Sequence, residues 1–378
     1  MLNTGIAILG GGISGLYAAT LLNERSIADL LVLEARTIPG GRVESAMVDG
    51  HRHLDLGPTW YWPDVQPELD AVIERLALSS FEQPETGDLI IERSASAPCM
   101  RVQGLASFPR PRRLSQGMSA LVDKLYAKLP TSTVQLGVRV KRLRWGLDRI
   151  SIFAEDEQQR SIVYGARQIL VALPPRLAAT TIEFSPRLSS KLHQDWLNIA
   201  THMAPHAKYL AVYDSPFWRT RGLSGSAQSA IGPLAEIHDA SVPEGPAALF
   251  GFVGVGPEQR NQMGNKILKA LCRAQLVRLF GATAEAPRAE YIKDWAADPL
   301  TATVSDLRTA AFPVGSPAIR VDEEGWRGRL FGMASEWSPD FPGYVAGAID
   351  AARRGVEAAL EVAQAATHKR DAVLDSSP

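Results

Sequence analysis

At 378 residues the chain is long enough for two domains, or for one large core with a smaller partner layer. Apolar residues make up 46% and charged residues 21%, the balance of a soluble globular enzyme; a formal charge of −1 excludes a basic stripe for nucleic acid or a polybasic cluster for a membrane surface. Two cysteines without metal-ligand spacing, no stretch near the roughly 18 apolar residues of a membrane span, and an N-terminus that enters a strand without a leader pattern point to a cytoplasmic, disulfide-free monomer or homodimer.

The first predicted element is an apolar strand, Ile6 to Leu9, which fits a buried parallel strand. Gly10, Gly12 and Gly15 follow with the G-x-G-x-x-G spacing: a tight turn, close backbone approach to a pyrophosphate, and close helix–strand packing. The helix "SGLYAATLLNE" points its positive end at that site. A second strand, "LLVLE", ends at Glu34, whose carboxylate would accept a ribose hydroxyl and repel a 2′-phosphate. Gly40-Gly41-Arg42 adds a second glycine pair for close backbone approach and an arginine suited to a phosphate.

Further along, residues 64–78 read as a helix, and 79–112 as irregular with short strand-like runs such as "DLIIE". "LSQGMSALVDKLYAKLP" is an amphipathic helix with Leu121, Leu125 and Leu129 on one face. "VQLGVRVKRLRW", "RQILVALPP", "HAKYLAVYDSPFWR", "GPLAEIHDAS" and "AALFGFVGVG" read as strands, and residues 265–280 as a helix. "GFVGVGPEQ" is rejected as a second dinucleotide loop because Gln259 stands where the third glycine belongs and Pro257 intrudes. Val345, Ile349, Ala352, Val356 and Leu360 form the stripe of a last helix. His202 and His206 are four apart, but Pro205 between them disrupts a helical metal pair, and no metal site is expected.

Three stretches together carry a resemblance: "GGGISGLYAATLL…VLEARTIPGGRVES…DLGPTWYWP", the lysine strand "HAKYLAVYDSPFWR", and "LFGMASEWSPDFPGYVAGAIDAARRG". The chain resembles the flavin-containing amine oxidase family, which includes monoamine, polyamine and L-amino-acid oxidases. The resemblance implies an α/β chain, α+β overall, with a Rossmann-like FAD-binding domain (1–78, 113–197 and 298–378) and a discontinuous, smaller mixed-sheet substrate domain (79–112 and 198–297). It further implies FAD held by Gly10, Gly12, Ile13, Ser14, Gly15, Glu34, Ala35, Arg36, Gly41, Arg42, Gly57, Pro58, Thr59, Trp60, Val140, Glu336, Tyr344 and Val345. Lys208 would hold a water at the flavin N5 edge, and Trp295 and Tyr344 would wall the catalytic site.

Several positions depart from the family pattern. Gln116 replaces the first glycine of a "GGM" segment, and Gly332-Met333-Ala334-Ser335 replace the usual four residues before Glu336. Val304 stands where monoamine oxidases attach flavin through cysteine, so FAD should be non-covalent. Ser305 replaces one half of an aromatic cage, leaving Tyr344. A helical insertion of many relatives is reduced to 79–112. Arg101, Glu236, His238 and Asp239 are polar residues in pocket-forming segments without an assigned role. The expected activity is oxidation of a small-molecule amine to an imine, with O2 reduced to H2O2; a C–C desaturase and a flavin-binding protein without turnover are the alternatives.

Overall fold

The computed structural model describes residues 2–307 and 315–375. It divides into two compact units, one of Met1–Gly41, Val122–His202 and Ala311–Pro378, the other of Arg42–Leu121 and Met203–Ala310. The α/β class expected from the sequence is the one observed.

Among the described residues, the first unit holds an eight-stranded mixed sheet. Its order is Glu183–Ser185, Arg139–Arg144, Ile150–Glu155, Ser161–Val171, Leu2–Leu9, Leu30–Leu33 and Val134–Gln135, with Leu330–Gly332 beside the end of Ser161–Val171. Leu2–Leu9 lies parallel between Ser161–Val171 and Leu30–Leu33, which is why it reads as a continuous apolar run and not as an alternation. The helix Ile13–Glu24 follows, and Ile13 through Leu22 are all buried. The last helix, Val345–Asp375, buries Ile349, Ala352, Val356 and Ala359, while Val345 and Leu360 at the ends of the expected stripe are half-buried. Phe184, Trp196, Trp326 and Trp337 meet edge to face at centroid distances of 5.6 to 5.9 Å in this unit's core.

The second unit contains a seven-stranded sheet in the order Ala289–Asp294, Ala207–Tyr213, Ala247–Val253, Leu234–Asp239, Leu223–Ser229, Asp88–Glu92 and Met100–Gln103. All seven residues of Ala207–Tyr213 are buried, because both faces of the strand are covered. Tyr209, Ala211 and Tyr213 pack with Leu268, Cys272 and Leu276 of the helix Pro257–Phe280. Leu210 and Val212 pack with Ala46, Val48 and Leu54 of the hairpin Ser45–Val48/His51–Asp55. The period of two therefore sends Lys208 to the hairpin side.

That hairpin explains how the units differ from the boundaries drawn on the sequence. Residues 42–78 and 113–121, expected in the first domain, fall in the second compact unit, and Ala46, Val48, Leu54 and Leu56 pack there with Leu210, Val212 and Phe250 of its sheet. Residues 298–310 also fall in the second unit, and 198–202 in the first. In 79–112, expected to be irregular with short strand-like runs, DLIIE is the strand Asp88–Glu92, and Ser80–Glu82, Met100–Gln103 and the start of Arg112–Leu114 are strands as well. The run at 134–145 is two strands and not one, with Gly137 at φ +70° between them. The helix expected at 265–280 starts earlier, at Pro257, and is interrupted at Gly264 (φ 75°, ψ 158°).

Candidate functional site

In the first unit the three glycines of the opening turn have separable roles. Gly10 has φ +108°, and a Cβ there would meet the Ala172 carbonyl oxygen at 2.8 Å. A Cβ on Gly15 would lie 1.9 Å from the Gly10 carbonyl oxygen, so Gly15 is required by protein packing alone. Gly12 differs: it has φ −75°, and the nearest atom to an added Cβ is the Gly40 carbonyl oxygen at 3.8 Å. The protein itself does not need a glycine at 12, and the space suits a ligand approaching the backbone. Gly12 and Gly40 form a bridge, and the Gly40 N–H donates to the Gly11 carbonyl at 2.9 Å, so the second glycine pair runs alongside the first turn. Gly12 is also the N-cap of Ile13–Glu24 and makes no side-chain capping bond to its first turn.

Glu34, 6% exposed, closes this turn. Its Oε2 accepts the Gly11 N–H at 2.6 Å and its Oε1 the Arg36 N–H at 2.7 Å. Burial pushes its carboxyl above the ordinary carboxylate range, and the two N–H bonds pull it back. Ala35 and Arg36 follow directly and are half-buried, like Gly41 and Arg42. Ile13 and Ser14 open the helix, and the Ser14 hydroxyl donates to the Met333 carbonyl. Val140 sits in Arg139–Arg144 opposite Ala154, at a register irregularity; Val138, two residues earlier, donates its N–H to the Glu34 carbonyl at 2.8 Å.

The altered stretch before Glu336 is built into the same unit. A Cβ on Gly332 would lie 2.0 Å from the Trp337 ring, the Met333 N–H donates to the Val171 carbonyl, and the Ser335 hydroxyl donates to Glu336 Oε2 at 2.9 Å. Glu336, with no exposed surface, accepts the His202 N–H on Oε1 at 3.2 Å. Tyr344, 41% exposed, precedes the last helix, whose first residue is Val345, and stacks on His202.

In the second unit Lys208 is 2% exposed. Its Nζ donates to the Thr59 hydroxyl at 2.6 Å and to the Gly57 carbonyl at 3.2 Å, and lies 3.9 Å from the centroid of the Phe250 ring. Asp55, also buried, accepts the Met118 N–H (2.8 Å) and the Ser45 hydroxyl (2.7 Å) on one oxygen. Desolvation pushes the Lys208 ammonium down to about 7; the Asp55 charge opposes this and the Arg113 charge adds to it. Desolvation likewise pushes Asp55 up. Arg113, 1% exposed, donates to the carbonyls of Asp239, Ala240 and Ser241. Lys208 is therefore an amine poised to change charge near neutral pH.

The "DLGPTWYW" stretch gathers around this lysine. Gly57 is set by packing, since a Cβ would lie 2.2 Å from the Arg42 carbonyl oxygen. Pro58 continues the turn, and Trp60 donates its Nε1–H to Gln83 at 2.8 Å while its ring meets His238 at 4.9 Å and Phe250 at 5.3 Å. Trp295, 6% exposed, donates its indole N–H to the Leu56 carbonyl at 3.3 Å, and the Lys293 ammonium lies 4.3 Å over its ring. Lys293 is in turn paired with Glu44 at 2.5 Å.

The four unassigned polar residues separate. Lys208 and Glu236 both lie opposite Phe252 in the sheet register, so the three form one row on the face that also presents His238. Glu236 is 56% exposed in its side chain, and His238, 3.7 Å away, holds its carboxyl below the usual range. Asp239 is a buried structural acceptor for Trp218, Arg219 and the Ser241 N–H. Arg101 pairs with Asp88 on the edge strand. Val304 and Ser305 are exposed. Among the described residues no group of three or more His, Cys, Asp or Glu side chains is placed to hold a metal ion, and no helix is long and apolar enough to cross a membrane.

Residues 87–360 match the family model described as flavin containing amine oxidoreductase, and residues 8–76 match an NAD(P)-binding Rossmann-like domain. Putrescine oxidase of Kocuria rosea is 24% identical over 355 residues, covering 66% of this chain and 72% of its own length. Flavin-containing amine oxidase B of Sus scrofa is 24% identical over 454 residues, covering 94% and 86%. The putative flavin-containing monoamine oxidase AofH of Mycobacterium tuberculosis is 31% identical over 209 residues, but these cover only 41% of that protein. In fold, the chain is similar to a putrescine oxidase solved with putrescine bound (TM-score 0.79, 21% identity, 94% of this chain and 98% of the other). It is similar also to cyclohexylamine oxidase from Brevibacterium oxydans (TM-score 0.77, 18% identity, 96% and 99%).

Proposed function

The chain belongs to the flavin containing amine oxidoreductase family, and on that premise we propose that it is an FAD-dependent oxidase of a small primary or secondary amine. The observation that carries this reading is Lys208: a buried amine held by Thr59 and Gly57, whose charged form burial disfavours. The residues fit a dinucleotide. The first-turn amides after Gly12 would face the pyrophosphate, Glu34 a ribose hydroxyl, and the N-terminus of Val345–Asp375 the electron-rich end of the ring system. When bound, FAD supplies the two-electron acceptor for oxidation of R–CH2–NH2 to R–CH=NH, which water then hydrolyses to the aldehyde and ammonia.

Lys208 binds and moves a proton. As the neutral amine it keeps a lone pair while Gly57 and Thr59 accept from it, so it takes up a proton directly or through one water, a contribution of about 10²–10⁴-fold. O2 is the proposed acceptor, taking two electrons and two protons to H2O2. Attachment of FAD is proposed to be non-covalent: Val304 offers no thiol, Cys272 is buried in the core of the second unit, and the Cys99 thiol is raised by desolvation and by the neighbouring Glu92 carboxylate. Glu236 lies two strands, about 10 Å, from Lys208 on one sheet face, which favours a diamine or an amine with a second cationic group.

The test is an anaerobic visible spectrum titrated with monoamines, diamines and amino acids. Bleaching of the oxidised flavin band by one class, reversed by air with peroxide release and slowed in Lys208→Met, is the expected result. A bound flavin reduced by dithionite and by no amine would overturn it and favour a desaturase or a protein without turnover.

A further inference from the structure

The sequence assigns neither Asp55 nor Arg113 a role, yet both are buried within reach of the Lys208 charge. In the second unit Lys208, Asp55 and Arg113 are 2%, 4% and 1% exposed. They come from three strands, Ala207–Tyr213, His51–Asp55 and Arg112–Leu114. Lys208 feels both of the others, and each of them acts on the next.

None of the three meets another at contact. Lys208 Nζ donates to the Gly57 carbonyl and the Thr59 hydroxyl. Asp55 Oδ1 accepts the Met118 N–H at 2.8 Å and the Ser45 hydroxyl at 2.7 Å, and Ser45 Oγ lies 2.7 Å from Ser119 Oγ. Arg113 donates to the carbonyls of Asp239, Ala240 and Ser241 at 2.7 to 3.4 Å, with its guanidinium carbon 5.1 Å from the Phe81 ring centroid. Each charge is therefore fixed in place by neutral groups and acts on the other two through space, where burial leaves little water to screen it.

Two cations thus share one carboxylate. Asp239, whose charge also reaches Arg113, does not make up the difference, because Arg219 pairs with it at 2.8 Å. The other ionisable groups around the lysine are engaged elsewhere. Lys293, opposite Lys208 in the sheet, pairs with Glu44 at 2.5 Å, Glu236 lies beside His238, and His206 lies near Arg260. A guanidinium does not give up its proton in a protein, so the excess positive charge is relieved at the lysine.

We propose that Asp55 and Arg113 are positioning residues of opposite effect, the carboxylate retaining the proton of the Lys208 ammonium and the guanidinium expelling it. The consequence for turnover rests on the amine-oxidase reading; the charge arrangement itself belongs to the fold. Asp55 keeps Lys208 able to accept a proton, and Arg113 keeps it able to release one.

The test follows the Lys208 titration by NMR of lysine labelled with carbon-13 at Cε in the flavin-loaded protein, the signal assigned by its loss in Lys208→Met. Asp55→Asn, which retains an oxygen for Met118 and Ser45, should lower the midpoint by about one pH unit or more, about a tenfold loss of proton affinity. Arg113→Gln should raise it by a similar amount, and Arg113→Met replaces it should that variant not fold. Arg113→Lys, which keeps the charge, should leave the midpoint near wild type. For any amine that is turned over, the acid limb of kcat/KM should move with the midpoint in each variant. Merely structural residues would lower the thermal midpoint without this opposition of sign. A Lys208 midpoint that stays in place in Asp55→Asn, or that moves the same way in both charge-neutralised variants, would overturn the proposal. If no amine reduces the flavin, the oxidase reading falls while the NMR titration still decides the roles of Asp55 and Arg113.

Discussion

Around Gly12 the polar groups are backbone amides and a single carboxylate, and the one buried charge, Glu34, is met by two main-chain N–H donors. Around Lys208 they are side chains drawn from separate segments (Asp55, Thr59, Arg113), together with one carbonyl, and two of the charges shift each other's titration. The first arrangement is rigid and sequence-local, as binding a large anionic ligand in a single pose requires. The second is electrostatically soft, as the proton transfer proposed for Lys208 requires. Binding and proton handling thus call for opposite constructions.

Substitutions can break this comparison. The largest effect is expected for Gly15→Val, whose Cβ would fall 1.9 Å from a carbonyl oxygen. It should abolish soluble folded protein, checked by expression and circular dichroism. Next is Lys208→Met, expected to slow flavin reduction by the saturating amine about 10²–10⁴-fold with flavin still bound, measured by stopped-flow. Gly12→Ala sharpens the contrast with Gly15: the apoprotein should melt within a few degrees of wild type, because nothing lies closer than 3.8 Å, while FAD affinity falls about tenfold or more. Equal loss of apoprotein stability in Gly12→Ala and Gly15→Val would refute the separation of their roles.

The last test is of stability against pH. Lys208 has a folded-state value near 7 against an ordinary 10.5, so between these the unfolded chain binds more protons than the native one. The burdened state lies at low pH: the destabilisation is full below about 7 and is relieved as pH rises toward 10.5. Wild type should therefore gain stability relative to Lys208→Met across that window, measured by urea denaturation at several pH values. A difference that stays flat from pH 7 to 10 would show that Lys208 is not depressed.

The opening turn was legible because its chemistry is set by near neighbours: glycines at 10, 12 and 15 and a carboxylate 19 residues on act through one strand–helix–strand unit. The lysine segment was legible as a strand, though its burial on both faces was not, and Lys208 was singled out through the family resemblance. Its surroundings were not. Asp55, Thr59, Arg113 and Phe250 come from distant segments, and chain spacing holds no information about which of them meet. Thr59 and Gly57, expected at the cofactor, were found bonded to the lysine.

The sequence by itself determined the α/β class, the glycine turn with Glu34, the strand that carries Lys208 and the last helix, because periodicity and local spacing dictate each of them. Only the tertiary structure decided that Ala46, Val48, Leu54 and Leu56 pack on the second unit's sheet, that Val138 bonds the Glu34 carbonyl, and that His202 stacks on Tyr344. These depend on which apolar faces find each other and on where a missing Cβ leaves room, and both are settled by three-dimensional packing and not by position along the chain.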